Sequence, residues 1–290
     1  SKKNDVEKIA KLIKECKSMD IEILPPEINE SFKDFTVVKD NNNKKIRFGL
    51  TAIKNVGQSA VQAIIEAREE KGKFKNIEDF VTKMSTSHLN KGTMESLIKA
   101  GVFDKFAERN KLLFNLENLL EWAREKEKTN KKGQKGLFDN LSKKKQKGIY
   151  ELKLEDAEKA TKQEKLNWEK ELLGLFISSH PLENYESFLK KESLPVSKII
   201  NGEKFINEYV RIGGIITSTK KITTKKGKPM MFLNLEDFEE TIEVVVFPSI
   251  YRQNSSKLEE NKIVLISGKT QKRNGDPKII CEKIDEIKEA

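Results

Sequence analysis

The sequence predicts an α+β, multidomain chain in which a helical part is followed by a five-stranded β-barrel. Three observations predict it. Apolar residues recur at three- and four-residue steps through the first two thirds of the chain and alternate with polar ones from residue 206 onward. Between residues 125 and 150 large apolar residues nearly disappear. The 290 residues are enough for about two domains of roughly 100 to 200 residues.

Val6, Ile9, Ala10, Leu12, Ile13 and Cys16 mark an amphipathic helix that Leu24-Pro25-Pro26 must end, within a first segment 1–45. From Ile46 to Lys71 the pattern reads as a short strand or turn, a small helix, a Gly-containing hairpin and a strong helix. Ala60, Val61, Ile64, Ile65 and Arg68 form the stripe of that last helix. Helical sets follow over Ile77–Met84, over His88–Phe106 with Gly101 as a stop, and near Arg109–Lys126, completing a domain at 46–124. Glu125 to Lys147 carries nine lysines against three acids, with only Leu137, Phe138 and Leu141 as large apolar residues, so 125–150 reads as a basic linker. Helical spacing resumes over Glu155–Phe176 and a turn at His180-Pro181 precedes another short helix, giving a connector at 151–205. Residues 206–290 then read as three strands, a helix and two strands, the order of an OB barrel. Lys226–Pro229 and Arg273–Asp276 are its first-to-second and fourth-to-fifth strand turns.

Charged residues make up 35% of the chain, against about 25% in an ordinary soluble domain. The net charge of +10 favours an anionic partner such as nucleic acid. Cys16 and Cys281 have no CxxC partner, which excludes a disulfide framework and a cysteine zinc site. No apolar run reaches the roughly 20 residues of a membrane span, so a cytoplasmic chain without membrane contact is expected. His88 and His180 are the two histidines, and no Asp-x-Asp strand motif or Gly-rich phosphate loop occurs. No catalytic residue, metal site or cofactor is therefore expected in this chain.

The turn Lys54-Asn55-Val56-Gly57-Gln58-Ser59 has the form of a helix-hairpin-helix element. There a glycine lets a phosphate approach the backbone and the following helix offers free N–H groups. An ordinary Gly-containing helix–helix turn fits the same residues, and Asn55 stands where the first hairpin glycine is usual. His88–Gly101 reads as a degenerate second unit. In the linker, Gln134-Lys135-Gly136-Leu137-Phe138 is an apolar island suited to a partner's pocket, with Gln134, Leu137 and Phe138 as anchors. In the barrel, Lys220, Lys221, Lys225, Lys226 and Lys228 crowd one loop and Lys269, Lys272 and Arg273 another, as in a groove that tracks a phosphate backbone. Phe232, Phe238, Phe247 and Tyr251 are candidates either for base stacking or for the core.

Taken in order, Ile21–Val37, Ile46–Arg68, Leu89–Asp104, Gly133–Asp139 and Glu169–Tyr185, followed by the barrel, resemble the C-terminal portion of the alpha subunit of bacterial replicative DNA polymerase III. The resemblance implies the end of a fingers region at 1–45 and a tandem helix-hairpin-helix domain on duplex DNA behind the active site. It also implies docking of Gln134, Leu137 and Phe138 on the sliding clamp (the beta subunit), and an OB domain near the single-stranded template. The other holoenzyme subunits become implied partners. The parent of such a chain is a DNA-directed DNA polymerase, a nucleotidyltransferase using Mg²⁺, whose palm aspartates have no counterpart here, so the chain by itself is expected to be inactive. Gly136 departs from the usual clamp peptide and should weaken docking by roughly 0.5 to 1 kcal/mol through backbone entropy. The alternative reading is a stand-alone single-strand DNA- or RNA-binding protein, or the OB-containing accessory region of another nucleic-acid enzyme.

Overall fold

A computed structural model of the chain describes residues 9, 12–13, 15–16, 19–40, 43–131, 152–273 and 276–287. It divides into two units, Ser1–Ser178 and Ser179–Ala290, the boundary falling inside the stretch 151–205 read as a connector.

In the first unit Ile9, Leu12, Ile13, Glu15 and Cys16 are helical, while Val6 and Ala10 of the same expected stripe lie outside the described residues. Asp20 turns the chain with a φ of 56°, ahead of the two prolines. Strand β1 (Ile23–Leu24) then runs parallel to β3 (Asn43–Arg47), which pairs antiparallel with β2 (Thr36–Asp40). The small helix expected after Ile46 is a single 3₁₀ turn, Leu50–Ala52. Leu50, its first residue, and Ile53, which follows it, are buried, so two anchors three residues apart are satisfied by one tight turn.

Helices α1 (Gln58–Lys71), α2 (Ile77–Lys83) and α3 (Lys91–Lys99) follow. Gly101 stops α3 with a φ of 81°. The single helix expected near Arg109–Lys126 is divided at Asn115 into α4 (Arg109–Phe114) and α5 (Leu116–Lys131). Asn115 is fully buried there and exchanges two hydrogen bonds with the backbone of Glu155, at 2.8 and 2.9 Å. The helical spacing read from Glu155 condenses into α6 (Lys162–Leu173), opened by a Thr161–Glu164 capping box and closed by Gly174 at a φ of 82°. Leu152 and Leu154 pack on the same core as α5, as do Leu172 and Leu173 of α6. Phe80 sits at the centre of that core, edge-on to Phe74 and Phe103 with centroids 5.0 and 4.9 Å away.

Residues 132–151, most of the stretch read as a basic linker, lie outside the described residues.

In the second unit helices α7 (Glu186–Glu192) and α8 (Val196–Asn201) precede a closed barrel. Its strands are β4 (Tyr209–Thr223), β5 (Pro229–Glu236), β6 (Thr241–Val246), β7 (Ile263–Arg273) and β8 (Asp276–Glu286), in the order β4-β5-β6-β8-β7. Helix α9 (Pro248–Asn254) lies between β6 and β7 in sequence. Pairing is antiparallel except between β6 and β8, which is the topology of a five-stranded OB barrel. Alternate residues such as Ile212, Leu233, Leu235, Val244, Ile266 and Ile279 fill the interior. The absence of a side chain at Gly213 of β4 lets Leu189 of α7 pack close against that strand, since a Cβ there would meet the Leu189 methyl.

Candidate nucleic-acid interface

The turn Lys54–Ser59 is held from beneath and open above. Ile53 and Val56 are buried, the Val56 N–H donates to the Ile53 carbonyl at 3.2 Å, and the Lys54 N–H donates to the Leu172 carbonyl of α6 at 2.9 Å. Asn55 takes the left-handed conformation, φ 66°, that a hairpin glycine would otherwise supply; asparagine tolerates this conformation. Lys54, Asn55, Gly57, Gln58 and Ser59 are all exposed.

Gly57 is the N-cap of α1, with φ −77° and ψ 151°, backbone that any residue adopts. A Cβ built on it would meet only the Ser59 Oγ, at 4.0 Å. No intramolecular requirement for glycine exists at this position. No side chain caps α1 and no acid lies in its first turn. The helices beginning at Ile77, Lys91, Arg109 and Lys162 are instead capped by Asn76, Asn90, Glu108 and Thr161. An uncapped helix start with open space at its cap and an exposed lysine beside it can accept a phosphate on its backbone N–H groups.

The second helix–turn unit, α2 to α3, is closed. The Asn90 Oδ1 accepts from the Thr93 N–H at 2.8 Å. The Glu127 carboxylate of α5 accepts from the Thr86 N–H at 3.2 Å and from the Ser85 hydroxyl at 3.3 Å, and it also bonds the Thr86 hydroxyl. Lys91, the lysine of this turn, is paired with Glu117 at 2.6 Å. Nothing in the spacing of His88–Gly101 marks Glu127, because it arrives from a helix more than 40 residues away in sequence.

In the barrel, register sorts the lysines that sequence grouped into one loop. Lys220 and Lys221 lie on β4 and face opposite sides: Lys220 is opposite Phe232, and Lys221 is opposite Met231 with its Nζ 5.5 Å from the Tyr251 ring centroid. Lys225, Lys226 and Lys228 are exposed in the connecting turn, which Gly227 closes with a φ of 74°. Lys272 is exposed on β7, and Arg273 ends that strand with its side chain outside the described residues.

Cross-strand partners share a face, so one outward row can be followed around the barrel: Lys220, Phe232, Val245, Ile280, Lys269 and Tyr209. Val245 is buried, Phe232 and Ile280 are half-buried, and Lys220, Lys269 and Tyr209 are exposed. Phe232, Ile280 and Tyr209, with a lysine at either end of the row from Lys220 to Lys269, are suited to stacked bases and phosphate contacts. Val245 and Ile280 were missed from sequence, since alternation does not say which strands are neighbours. Of the other aromatic candidates, Phe247 is exposed and half-buried Tyr251 packs against the barrel core. Phe238 is exposed and tilted against His180, centroids 4.9 Å apart. Gln134, Leu137 and Phe138 lie outside the described residues.

Among the described residues no group of three or more His, Cys, Asp or Glu is placed to hold a metal ion. Burial pushes the Cys281 thiol up to about 12, which leaves it inert as a nucleophile. No helix among the described residues is long and apolar enough to cross a membrane.

Comparison with known proteins agrees with this architecture. Residues 20–113 match the helix-hairpin-helix motif, and residues 210–287 match the OB-fold nucleic acid binding domain. The chain is 34% identical over 275 residues to the DNA polymerase III subunit alpha of Thermus aquaticus, covering 93% of this chain and 21% of that one. To the same subunit of Aquifex aeolicus it is 36% identical over 268 residues, covering 92% and 21%. To that of Borreliella burgdorferi it is 34% identical over 288 residues, covering 98% and 24%. The chain thus spans about a fifth to a quarter of the length of these relatives, and the resemblance to polymerase III alpha subunits holds along nearly all of it.

Proposed function

We propose that this chain, related along nearly its whole length to DNA polymerase III alpha subunits, is the C-terminal part of such a subunit and holds DNA and the sliding clamp for a template-directed DNA polymerase. The observation that carries the reading is the α1 start: a glycine with no internal reason to be one, on an end that no side chain caps, whereas α2, α3, α4 and α6 of the same unit are each capped by a side chain. Duplex phosphate docks on the N–H groups of this end with Lys54 alongside. Single-stranded template crosses the row from Lys220 to Lys269. The chain works in the cytoplasm with the other holoenzyme subunits, and nothing favours a stand-alone single-strand-binding protein or an accessory region of another enzyme. Polymerisation and its Mg²⁺ belong to other parts of the parent, and no catalytic step is assigned here.

Gln134, Leu137 and Phe138 dock on the clamp. Clamp and DNA contacts made together act as one multivalent attachment. The test is titration of the 290-residue chain against a bacterial sliding clamp and against duplex DNA, comparing wild type with the Leu137→Ala, Phe138→Ala double variant. Loss of clamp binding alone is expected; parallel loss of both would refute the modular attachment.

A further inference from the structure

The loop Ile28–Asp34 joins the prolines after β1 to strand β2, and its backbone is fixed from two directions. From α1, the buried Arg68 guanidinium donates through Nη1 to the Ile28 carbonyl at 3.1 Å and the Ser31 carbonyl at 3.0 Å. From the other side, the Leu50 N–H donates to the Phe32 carbonyl at 2.9 Å, and the Thr51 N–H and hydroxyl donate to the Lys33 carbonyl at 3.1 and 2.7 Å. Gly49 permits this approach, since a Cβ there would run into the Asp34 backbone. Ser31 is fully buried and bonds the Phe48 carbonyl at 2.7 Å.

What the loop presents is Phe32 and Lys33. Phe32 is 45% exposed although its ring has the Arg68 guanidinium over it, 4.7 Å from Cζ to the centroid. A ring covered by a cation on one side and exposed to this extent has its opposite face open. Singly exposed apolar residues are ordinary and need no explanation. This one differs in what lies behind it: a 92%-buried arginine whose Nη2 has no hydrogen-bond partner among the described residues, an expensive group to bury.

We infer that Phe32 is a stacking platform for an unpaired nucleobase, with Lys33 on the adjoining phosphate. The Thr51 backbone to which Lys33 is bonded precedes Lys54 by three residues, so the platform adjoins the hairpin that receives duplex phosphate, and the inference rests on that reading. An aromatic face stacks any base, and a neighbouring lysine supplies charge for its backbone. A protein partner fits less well, since a stable interface needs about 800 Å² from each side and one ring supplies a small part of that.

The test uses the 290-residue chain and two DNA probes: a blunt duplex, and the same duplex with a three-nucleotide overhang whose first unpaired base is 2-aminopurine. Wild type is expected to bind the overhang probe about 5- to 10-fold more tightly and to quench its fluorescence. Phe32→Ala should lose quenching and most of that preference while holding blunt-duplex affinity within twofold, and Phe32→Trp should restore both. Quenching and preference that survive Phe32→Ala would overturn the platform, as would equal loss on both probes with an unchanged melting temperature. Gly57→Ala separates this from the hairpin reading: blunt-duplex binding that falls with Gly57→Ala upholds the hairpin whatever Phe32 does, and blunt-duplex binding indifferent to it refutes the hairpin itself.

Discussion

At the first hairpin α1 begins on Gly57 with nothing over its end, and Lys54 stands beside it exposed. At the second, Asn90 closes the start of α3, Glu127 occupies the turn before it, and Lys91 is tied to Glu117. One turn leaves its donors for a ligand, and the other spends them on its own chain. A carboxylate held by a backbone N–H and hydroxyls does for the second turn what a phosphate would do for the first. The pair teaches that a repeated helix–turn–helix form is not repeated function, because the side chains that finish each helix end decide whether its N–H groups are available.

The comparison can be broken most directly at its two glycines. Gly57→Val should lower duplex affinity tenfold or more in a fluorescence-anisotropy titration, with a stability cost of about 1 kcal/mol or less from the poorer cap. Gly92→Ala, in the first turn of α3, should leave DNA affinity unchanged and raise stability by about 0.5 to 1 kcal/mol, since its Cβ would meet Asn90 Oδ1 at an ordinary 3.6 Å. Equal losses from both would show that the two turns bind alike.

A second contrast lies in the lysines. Lys54→Ala should reduce the slope of log affinity against log salt by about one unit, as removal of one phosphate contact does. Lys91→Ala should leave that slope in place, because Lys91 belongs to the turn that Asn90 and Glu127 close and its ammonium lies against Glu117 at 2.6 Å.

Asn90→Ala should cost about 1 kcal/mol of stability through the lost cap, and Glu127→Ala should leave duplex affinity no lower than wild type. A drop in affinity for Glu127→Ala at an unchanged melting temperature would mean that the second turn is a ligand site as it stands.

The smallest expected effect concerns Glu108, which caps α4. Burial acts to raise its pKa, but N–H groups of Ala160, Lys111 and Asn110 outweigh it and hold the carboxyl below its ordinary value. A lowered folded value means that the stabilisation is complete above the unfolded value of about 4.3 and is lost as pH falls through the folded one. Glu108→Gln should therefore narrow the difference in melting temperature between pH 7 and pH 3 while leaving DNA binding at pH 7 unchanged.

Much of this site was legible in residue order. The Lys54–Ser59 turn lies where the stripe of α1 places it, although a 3₁₀ turn stands before it where a small helix was expected, and Gly101 stops α3 as its position suggests. Asn55, a departure from the usual glycine, proves compatible with the turn because asparagine reaches the same left-handed conformation. The lysines of β4 were legible as charge but not as geometry: neighbours in sequence, Lys220 and Lys221 face opposite sides because strand residues alternate. Asn115 gave no sign that it would divide a helix, since its partner Glu155 lies 40 residues away.

Sequence alone determined the chain's local chemistry: the helical character of its first part, the stop at Gly101, the succession of three strands, a helix and two strands in the barrel, the basic composition around residues 125–150, and the resemblance to polymerase III alpha subunits. These follow from period, turn residues and ordered motifs, all of which act over a few neighbouring positions. The tertiary structure decided that Phe232, Val245 and Ile280 form one row, that Glu127 fills the second turn, and that Arg68 lies behind Phe32. Each of these is a contact between residues far apart in the chain. Such contacts are set by how whole elements pack and by which strands pair, and no local pattern encodes that choice.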